Sequence, residues 1–564
     1  MSAASVSESS PLPPPPLRPT ITSDALEERH QLASRVLTDA LLLGVVGDAL
    51  LRAGTMGANM TLWTIGMVAA LLTLARRRHD SVPADARFLA IPALALSLMY
   101  VWRDEESLAA YNTLALIGTF ALLATAVARG PRATLLASRV RDVVEHVADV
   151  GIRTAFGMLP LVLSDISLRQ VAQTRTTARL TIALRALLIA VPLLLIFGGL
   201  FASADPVFAR LLGDIFQIDA GKIASHLFLG GVIAWIAGGF LRASVLSNGT
   251  AVWSHRLPDG ALGLTEVSVA LGSLVLLFAA FVGVQVRYFF GGDTLVQSTA
   301  GLGYADYARR GFFELVMVST LVLPVLLAAN ALLRRDTARA DAVYRVLAST
   351  LLGLLGVIMY SALARMRLYQ SVYGMTVDRL YATVFMGWLA VVFVWFAVTV
   401  LRGRGQRFVA GVLVSGWATL LALNVAGPAT IVARANIARA AAGKEMDVLY
   451  IQSLGADAAP TLVSHLMSQP LTPPAGWVSP AAPQYPRSGT VSDRGDYTAR
   501  CSAARQLLSN WAPNVGRDWR GWTLGKAQAR RAVAANEPAL RTLANWSSAA
   551  NSLACPEPPA QVRP

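Results

Sequence analysis

The chain has 564 residues, of which 54% are hydrophobic and 15% are charged, and its mean hydropathy is +0.51. Soluble domains usually carry about 25% charged residues, so this composition excludes an ordinary soluble protein and indicates a multi-pass membrane protein. The net charge is +15, but most arginines lie in short connections between apolar segments. Their placement favours a role in membrane topology, and no nucleic-acid partner is expected.

The N-terminal segment has the composition of a tail. Met1 to Asp24 include the run Pro13 to Pro16 but no apolar core, so this segment is not a signal peptide. We predict a disordered, proline-rich cytoplasmic tail over residues 1–34.

Eleven apolar segments follow, each long enough to span a bilayer, in a predicted transmembrane domain over residues 35–428. The first is the most polar, because Asp39, Asp48 and Arg52 interrupt it. The segments cover residues 36–53, 59–75, 86–102, 109–128, 183–203, 223–243, 266–290, 311–333, 342–363, 380–401 and 408–427.

Two segments carry packing patterns. The sixth span contains Gly230, Ala234 and Gly238 at four-residue spacing, a stripe that allows another helix to approach closely. Residues 130–182 form the largest connection, and valines recur there at helical spacing opposite a charged face. We predict an amphipathic cytoplasmic helix that lies on the inner leaflet.

The distribution of positive charge predicts the topology. With a cytoplasmic N-terminus, the cytoplasmic segments up to the last span carry 25 lysines and arginines, and the outer loops carry ten. The positive-inside rule therefore favours a cytoplasmic N-terminus and an extracytoplasmic C-terminus.

Beyond the last span, residues 429–564 form a predicted small helical region outside the cytoplasm, with a proline-rich linker at 470–488. The chain's two cysteines, Cys501 and Cys555, both lie in this region. Because an extracytoplasmic compartment permits disulfides, we predict that they pair.

Signatures of soluble enzymes are scarce. No two histidines have the spacing of a helical zinc site, and Cys-x-x-Cys and Gly-x-Ser-x-Gly motifs are absent from the sequence. We therefore predict neither a metal nor a cofactor, and the sequence leans against an enzyme without deciding the question.

Polar residues concentrate at the outer ends of the later spans, in the stretches 304–314 and 364–381. In the second stretch, Gly374 suits a left-handed turn and Thr376 suits the N-cap of the next span. One interpretation is an outward-facing pocket in which arginines bind an anion and tyrosines form the walls. The alternative is an aromatic belt with arginines that reach the headgroups, in contact with membrane lipids. The candidate ligand-binding residues are Tyr304, Asp306, Arg310, Glu314, Arg365, Arg367, Tyr369, Tyr373 and Arg379.

Five motifs taken together resemble a bacterial multi-pass membrane family of unassigned function, domain-of-unknown-function family 4173, which is related to family 4153. The motifs are Ala183 to Pro192, Ser203 to Phe208, Tyr304 to Glu314, Arg367 to Tyr381, and Asn436 to Lys444. The resemblance covers roughly residues 35–465. It implies an integral inner-membrane protein and no established reaction, cofactor or ligand.

The sequence thus predicts an all-α polytopic bundle with a polar site on its extracytoplasmic face. We favour a non-enzymatic sensor or assembly protein that binds an anionic ligand or a protein partner there. A transporter of a small or anionic solute and a membrane enzyme acting on a lipid-linked phosphate remain as alternatives.

Overall fold

The computed structural model describes residues 23–52, 54–131, 138–165, 220–247, 261–300, 312–444, 446–471, 493–513 and 518–544, with a few isolated positions between 190 and 205. Within these ranges the chain is helical and forms no strand, although one isolated β-bridge joins Leu262 to Leu333. The predicted all-α polytopic class is confirmed.

Apolar helices dominate the described chain up to residue 426. Nine of them are long and apolar enough to cross a membrane, or ten if α5 and the short segment Met158–Asp165 form one span with a 54° bend. Helices α1 to α11 cover Ser23–Leu51, Ala58–His79, Ala84–Trp102, Glu106–Arg129, Val140–Phe156, Ala220–Val245, Leu264–Ala300, Phe312–Leu332, Ala338–Tyr373, Val377–Thr399 and Phe408–Ala426.

Nine of the eleven predicted spans coincide with these nine helices. The first predicted span is helical as part of α1, which is too polar to meet the same hydropathy criterion. The fifth, residues 183–203, lies almost wholly outside the described residues. The count of eleven therefore stays a prediction.

The predicted extent of the N-terminal tail is wrong. α1 begins at Ser23, so residues 23–34 are helical rather than disordered. Ala33 is fully buried, and Arg29 forms an ion pair with Asp165 at 3.0 Å. These tertiary contacts stabilise a helical extension that hydropathy does not reveal. Residues 1–22 lie outside the described chain.

The small-residue stripe of α6 packs against α1. A Cβ atom placed on Gly44 would lie 2.6 Å from both Ala234 Cβ and Gly230 O, and one on Gly238 would lie 3.1 Å from Ala40 Cβ. The two backbones are therefore too close to admit larger side chains, as the four-residue spacing predicts.

The described part of the 130–182 connection packs against the helical bundle. α5 buries Val143 and Val150 in the same core as α6, while Val144 and Phe156 are exposed. The helix is amphipathic, as predicted, but part of its apolar face contacts the protein core. Its position on the inner leaflet stays a prediction.

The membrane helices form two packed groups. One hydrophobic core joins α1 to α6, and a second joins α7 to α10. α11 contributes to both, because Trp417 belongs to the first core and Phe408 to the second. α11 thus connects the two groups.

In the C-terminal region, here called the C-terminal domain, the described residues form six further helices. Its separate core includes Ile451, Leu462, Val533 and Leu540, each at most 1% exposed. Nearly all of the predicted linker 470–488 lies outside the described residues. Helices α12 to α17 cover Pro428–Ala441, Val448–Ser453, Ala459–Met467, Asp493–Trp511, Leu524–Ala535 and Glu537–Ala544, and a 3-10 turn occupies Trp519–Gly521.

The C-terminal domain sits at one end of the bundle, here called the domain end. The N–H of Ala58, at the start of α2, donates to the carbonyl of Trp522 at 3.2 Å. At the opposite end, Asp165 pairs with Arg242 at 2.6 Å. His226 in the first turns of α6 pairs with Asp48 near the end of α1, so α6 begins at the domain end.

Candidate functional site

The predicted pocket residues come together only in part. Tyr304, Asp306 and Arg310 lie outside the described residues. Glu314 is exposed in the first turn of α8 and forms no ion pair with any described residue. The predicted arrangement of this acidic half of the pocket stays a prediction.

Three residues of the second stretch do form a cluster. The guanidinium carbon of Arg379 lies 4.1 Å from the centroid of the Tyr369 ring, and the Tyr369 and Tyr373 ring centroids are 5.0 Å apart. Gly374 has φ +80°, as its place in the turn predicts, and the Thr376 hydroxyl accepts from the Arg379 N–H. This cation–π stack fixes the turn between α9 and α10.

The other two arginines do not join that stack. Arg367 is exposed and forms no ion pair with a described residue, while Arg365 is half-buried. Within the described chain, the candidate residues therefore line a surface turn rather than converge on a shared cavity.

The turn between α9 and α10 contacts the C-terminal domain directly. The Asn436 amide accepts from the Met375 N–H at 3.0 Å and donates to the Met375 carbonyl at 2.8 Å. The Tyr450 hydroxyl accepts from the Val377 N–H at 2.9 Å. Two polar side chains of the domain thus satisfy the backbone of this turn.

The positive charge in the turn between α9 and α10 has an unexpected counterpart. Arg379 donates to the Gly374 carbonyl, and Arg439 donates to the Val372 carbonyl. Both acceptors lie at the C-terminal end of α9, where the helix dipole favours cations. Asp378, the described carboxylate of this stretch, is exposed.

A second polar group lies beside the turn, in the short connection between α3 and α4. Arg103 donates to the carbonyls of Asn424 and Val425 at 2.6 and 2.7 Å, at the C-terminal end of α11. Gly427 has φ +72°, and a Cβ there would lie 2.8 Å from the Arg103 guanidinium carbon. Glycine is therefore required where α11 ends and α12 begins.

The next residue joins the membrane helices to the C-terminal domain. The Asp104 carboxylate pairs with Lys526 of α16 at 2.8 Å, and its N–H donates to the Asp457 carboxylate at 2.9 Å. The Asp457 side chain is only 2% exposed and lies 3.7 Å from an Arg103 nitrogen. The Thr430 hydroxyl donates to the Asp457 carbonyl at 2.8 Å.

Glu105 extends the network to the second group of helices. Its carboxylate accepts a hydrogen bond from the Tyr381 hydroxyl, and the Tyr381 ring packs edge-on against Tyr111. Leu108, Val377, Tyr381 and Val432 form a small buried cluster beneath this contact. We call the six polar residues the polar junction: Arg103, Asp104, Glu105, Tyr381, Asp457 and Lys526.

The polar junction has more acidic than basic groups. Three carboxyl groups face one guanidinium and one ammonium, so full ionisation leaves one negative charge in excess. Burial raises the pKa of Asp104, Glu105 and Asp457 above the ordinary carboxyl range, and their hydrogen bonds and ion pairs offset this only in part. The arrangement therefore favours binding of a proton.

A buried amide pair supports the junction from within the bundle. Asn112 of α4 and Asn424 of α11 exchange two hydrogen bonds of 3.0 and 2.9 Å, and both are at most 1% exposed. The Trp417 indole also donates to Thr119 at 3.0 Å. These contacts hold α4 and α11 in one register relative to each other.

Sequence reasoning missed the polar junction, although one signal was present. Arg103 to Glu106 are four consecutive charged residues between two apolar spans, and three of them are acidic. Such a cluster in so short a connection indicates a partner elsewhere in the chain. The partner Asp457 lies 353 residues from Asp104, and no local pattern marks it.

Of the two cysteines in the predicted disulfide, the structure describes only Cys501. Cys501 is fully buried and disulfide-bonded. Cys555 lies outside the described residues, so the pairing of these two cysteines stays a prediction. Among the described residues there is no group of three or more side chains arranged to hold a metal ion.

Comparison with protein families places residues 90–465 under a family model described as "Domain of unknown function (DUF4153)". Comparison with curated proteins and with solved structures found no match. The matched segment runs from α3 to α14 and therefore includes the polar junction up to Asp457.

Proposed function

Because the chain belongs to the DUF4153 family, whose function is unknown, we propose its role from its geometry. We propose a non-enzymatic integral protein of a bacterial cytoplasmic membrane that binds a ligand or partner at the domain end as a sensor or assembly component. The domain end is extracytoplasmic, and the N-terminus is cytoplasmic.

The polar junction is the observation that carries this proposal. Its side chains come from the α3–α4 connection, from α10 and from two parts of the C-terminal domain. A buried polar network of this kind fixes one relative orientation, because any other leaves charged groups unpaired. The C-terminal domain is thus held rigidly on the bundle as a platform.

The orientation in the membrane rests on the arginine count. The basic connections, among them Arg76 to Arg78 and residues 334–345, follow or precede helices at the end opposite the C-terminal domain. The positive-inside rule puts that end in the cytoplasm, which leaves the domain end outside.

Exposed groups beside the junction support binding at this face. Arg367 is exposed, and Tyr373 and Leu449 are 53% and 44% exposed. An exposed positive charge and exposed apolar groups at the domain end suit an anionic ligand or a protein partner with an acidic rim.

The proposal is tested by photocrosslinking from the C-terminal domain in native membranes. A photoreactive amino acid at Leu449 is compared in the unchanged chain, in Lys526→Ala and in Lys444→Ala. Lys526 pairs with Asp104, whereas Lys444 is exposed, so the second variant is a matched control.

We expect a discrete adduct that Lys444→Ala retains and Lys526→Ala reduces severalfold. Without the ion pair of Lys526, the C-terminal domain is no longer held in one orientation, so its binding surface is formed less often. The proposal is contradicted if no discrete adduct forms, or if Lys526→Ala leaves the amount of adduct unchanged. Solute uptake by vesicles that contain the purified protein, abolished by Arg367→Ala, would instead support the transporter.

A further inference from the structure

The 3-10 turn Trp519–Gly521 lies directly against the first residues of α2. Besides the hydrogen bond from Ala58 to Trp522, a Cβ atom placed on Gly57 would lie 2.7 Å from Gly521 C and from Trp522 O. Since Ala58 begins an apolar, membrane-spanning helix, this turn lies at the level where the bilayer begins.

Two tryptophan side chains in or directly after this turn are exposed. Trp519 is 59% exposed and Trp522 is 44% exposed, which is unusual for side chains of this size in a soluble environment. Below them on α2, Leu62 and Ile65 are also exposed, as expected for residues that face lipid. The exposed indoles therefore belong to a segment that packs against a helix with lipid-facing side chains.

The backbone of the turn is fixed, so its side chains have a defined level. The Gly521 carbonyl accepts from Lys526 at 3.1 Å, which ties the turn to the polar junction. Arg520 lies between the two indoles in sequence, and its guanidinium is 3.9 Å from Asp518 at the surface. Indoles with a neighbouring arginine match the boundary between acyl chains and phosphates.

We propose that Trp519, Arg520 and Trp522 form a lipid-binding wedge that inserts into the headgroup region of the leaflet where α2 begins. The partner is the phospholipid interface of the membrane that the bundle spans. The indoles enter the glycerol region, and the guanidinium meets lipid phosphates.

This wedge goes beyond the proposed function, because it is a separate surface and does not need a ligand or partner at the domain end. It gives the C-terminal domain a second attachment, to lipid, beside its attachment to the bundle. The domain then keeps a set height above the bilayer.

The test places a fluorescent probe in the wedge of the full-length protein. Trp519→Cys is labelled with a thiol-reactive NBD dye without reductant, which preserves the disulfide of Cys501. The protein is reconstituted in phosphatidylcholine–phosphatidylglycerol vesicles, with or without brominated acyl chains. Ser509→Cys, exposed on α15, is the control, and Trp522→Cys is a second probe of the wedge.

We expect brominated lipid to quench the probe at residue 519 at least about threefold more than at residue 509, and aqueous iodide to show the reverse order. Quenching at 519 and 522 by iodide and not by brominated lipid would overturn the proposal. Quenching by neither would also overturn it, since it would mean that protein covers the wedge.

Discussion

Asp457 is the most deeply buried carboxyl group of the polar junction. It is nearly inaccessible to water, yet it accepts an N–H from the α3–α4 connection and lies close to Arg103. Burial raises the pKa of this carboxyl group despite these partners. A buried carboxyl that resists ionisation makes the attachment of the C-terminal domain sensitive to proton concentration.

The sign of this dependence follows from the raised pKa values. The relevant pH range extends from the ordinary carboxyl pKa, about 4, up to the raised pKa of each group. In this range each carboxyl group binds more protons when the C-terminal domain is docked than when the group is exposed to water. The docked state therefore gains stability as pH falls through this window and loses it as pH rises. We expect hydrogen exchange in α14 and α16 to slow when pH falls from neutral to weakly acidic, after correction for intrinsic exchange.

Glu105→Gln should flatten this pH dependence while it keeps an acceptor for the Tyr381 hydroxyl. Glu106→Gln removes an exposed neighbouring carboxylate, whose charge makes only a small contribution to the raised pKa of Asp104, and is the matched control, which should change the dependence far less. Equal pH profiles for the two variants would refute the role of the buried carboxyl group.

At the scale of the helix, close backbone contacts decide how the first group of helices packs. α5 and α6 cross where a Cβ atom on Gly239 would lie 2.0 Å from the Thr154 carbonyl oxygen. No side chain fits between two backbones at that distance, so the crossing requires glycine. Elsewhere on α6, a Cβ atom on Gly231 would meet nothing within 4 Å.

Gly239→Ala should therefore separate α5 from α6 and cost about 1–3 kcal/mol of stability through overpacking. Gly231→Ala, on the same helix, should be neutral or slightly stabilising. Thermal unfolding midpoints in detergent compare the two variants directly. A similar loss in both would mean that the crossing is looser than described.

At the scale of the molecule, the helices were predictable and their partners were not. Hydropathy marks the nine apolar helices because a bilayer demands about 20 apolar residues from each span. It failed for residues 23–34, where distant contacts that hydropathy does not report stabilise the helix, among them the ion pair between Arg29 and Asp165.

The candidate site shows the same division between local and distant signals. Local chemistry predicted the turn at Gly374 and the N-cap at Thr376. The contact between Tyr381 and Glu105 joins residues 276 apart in sequence, and no local sequence pattern marks the hydrogen bonds between the Asn436 side chain and the Met375 backbone. The pairing of the stretch 364–381 with 304–314 stays a prediction, and its described partners are α12, α13 and the α3–α4 connection.

One engineered disulfide can show whether the C-terminal domain is docked on the bundle outside the cytoplasm, as proposed. A Cβ atom placed on Gly521 would lie 3.0 Å from Thr55 Cβ, so Thr55→Cys with Gly521→Cys brings two thiols within bonding reach after a small shift. The measurement is the fraction of these two thiols that is oxidised in intact bacterial cells, counted by mass spectrometry after rapid alkylation.

We expect near-complete oxidation in cells, because the two residues are in contact and, as proposed, face an oxidising compartment. Thr55→Cys alone, which keeps its thiol free, is the control. A bond that forms only when an oxidant is added to the purified protein would contradict the extracytoplasmic orientation. Free thiols under both conditions would contradict the docking itself.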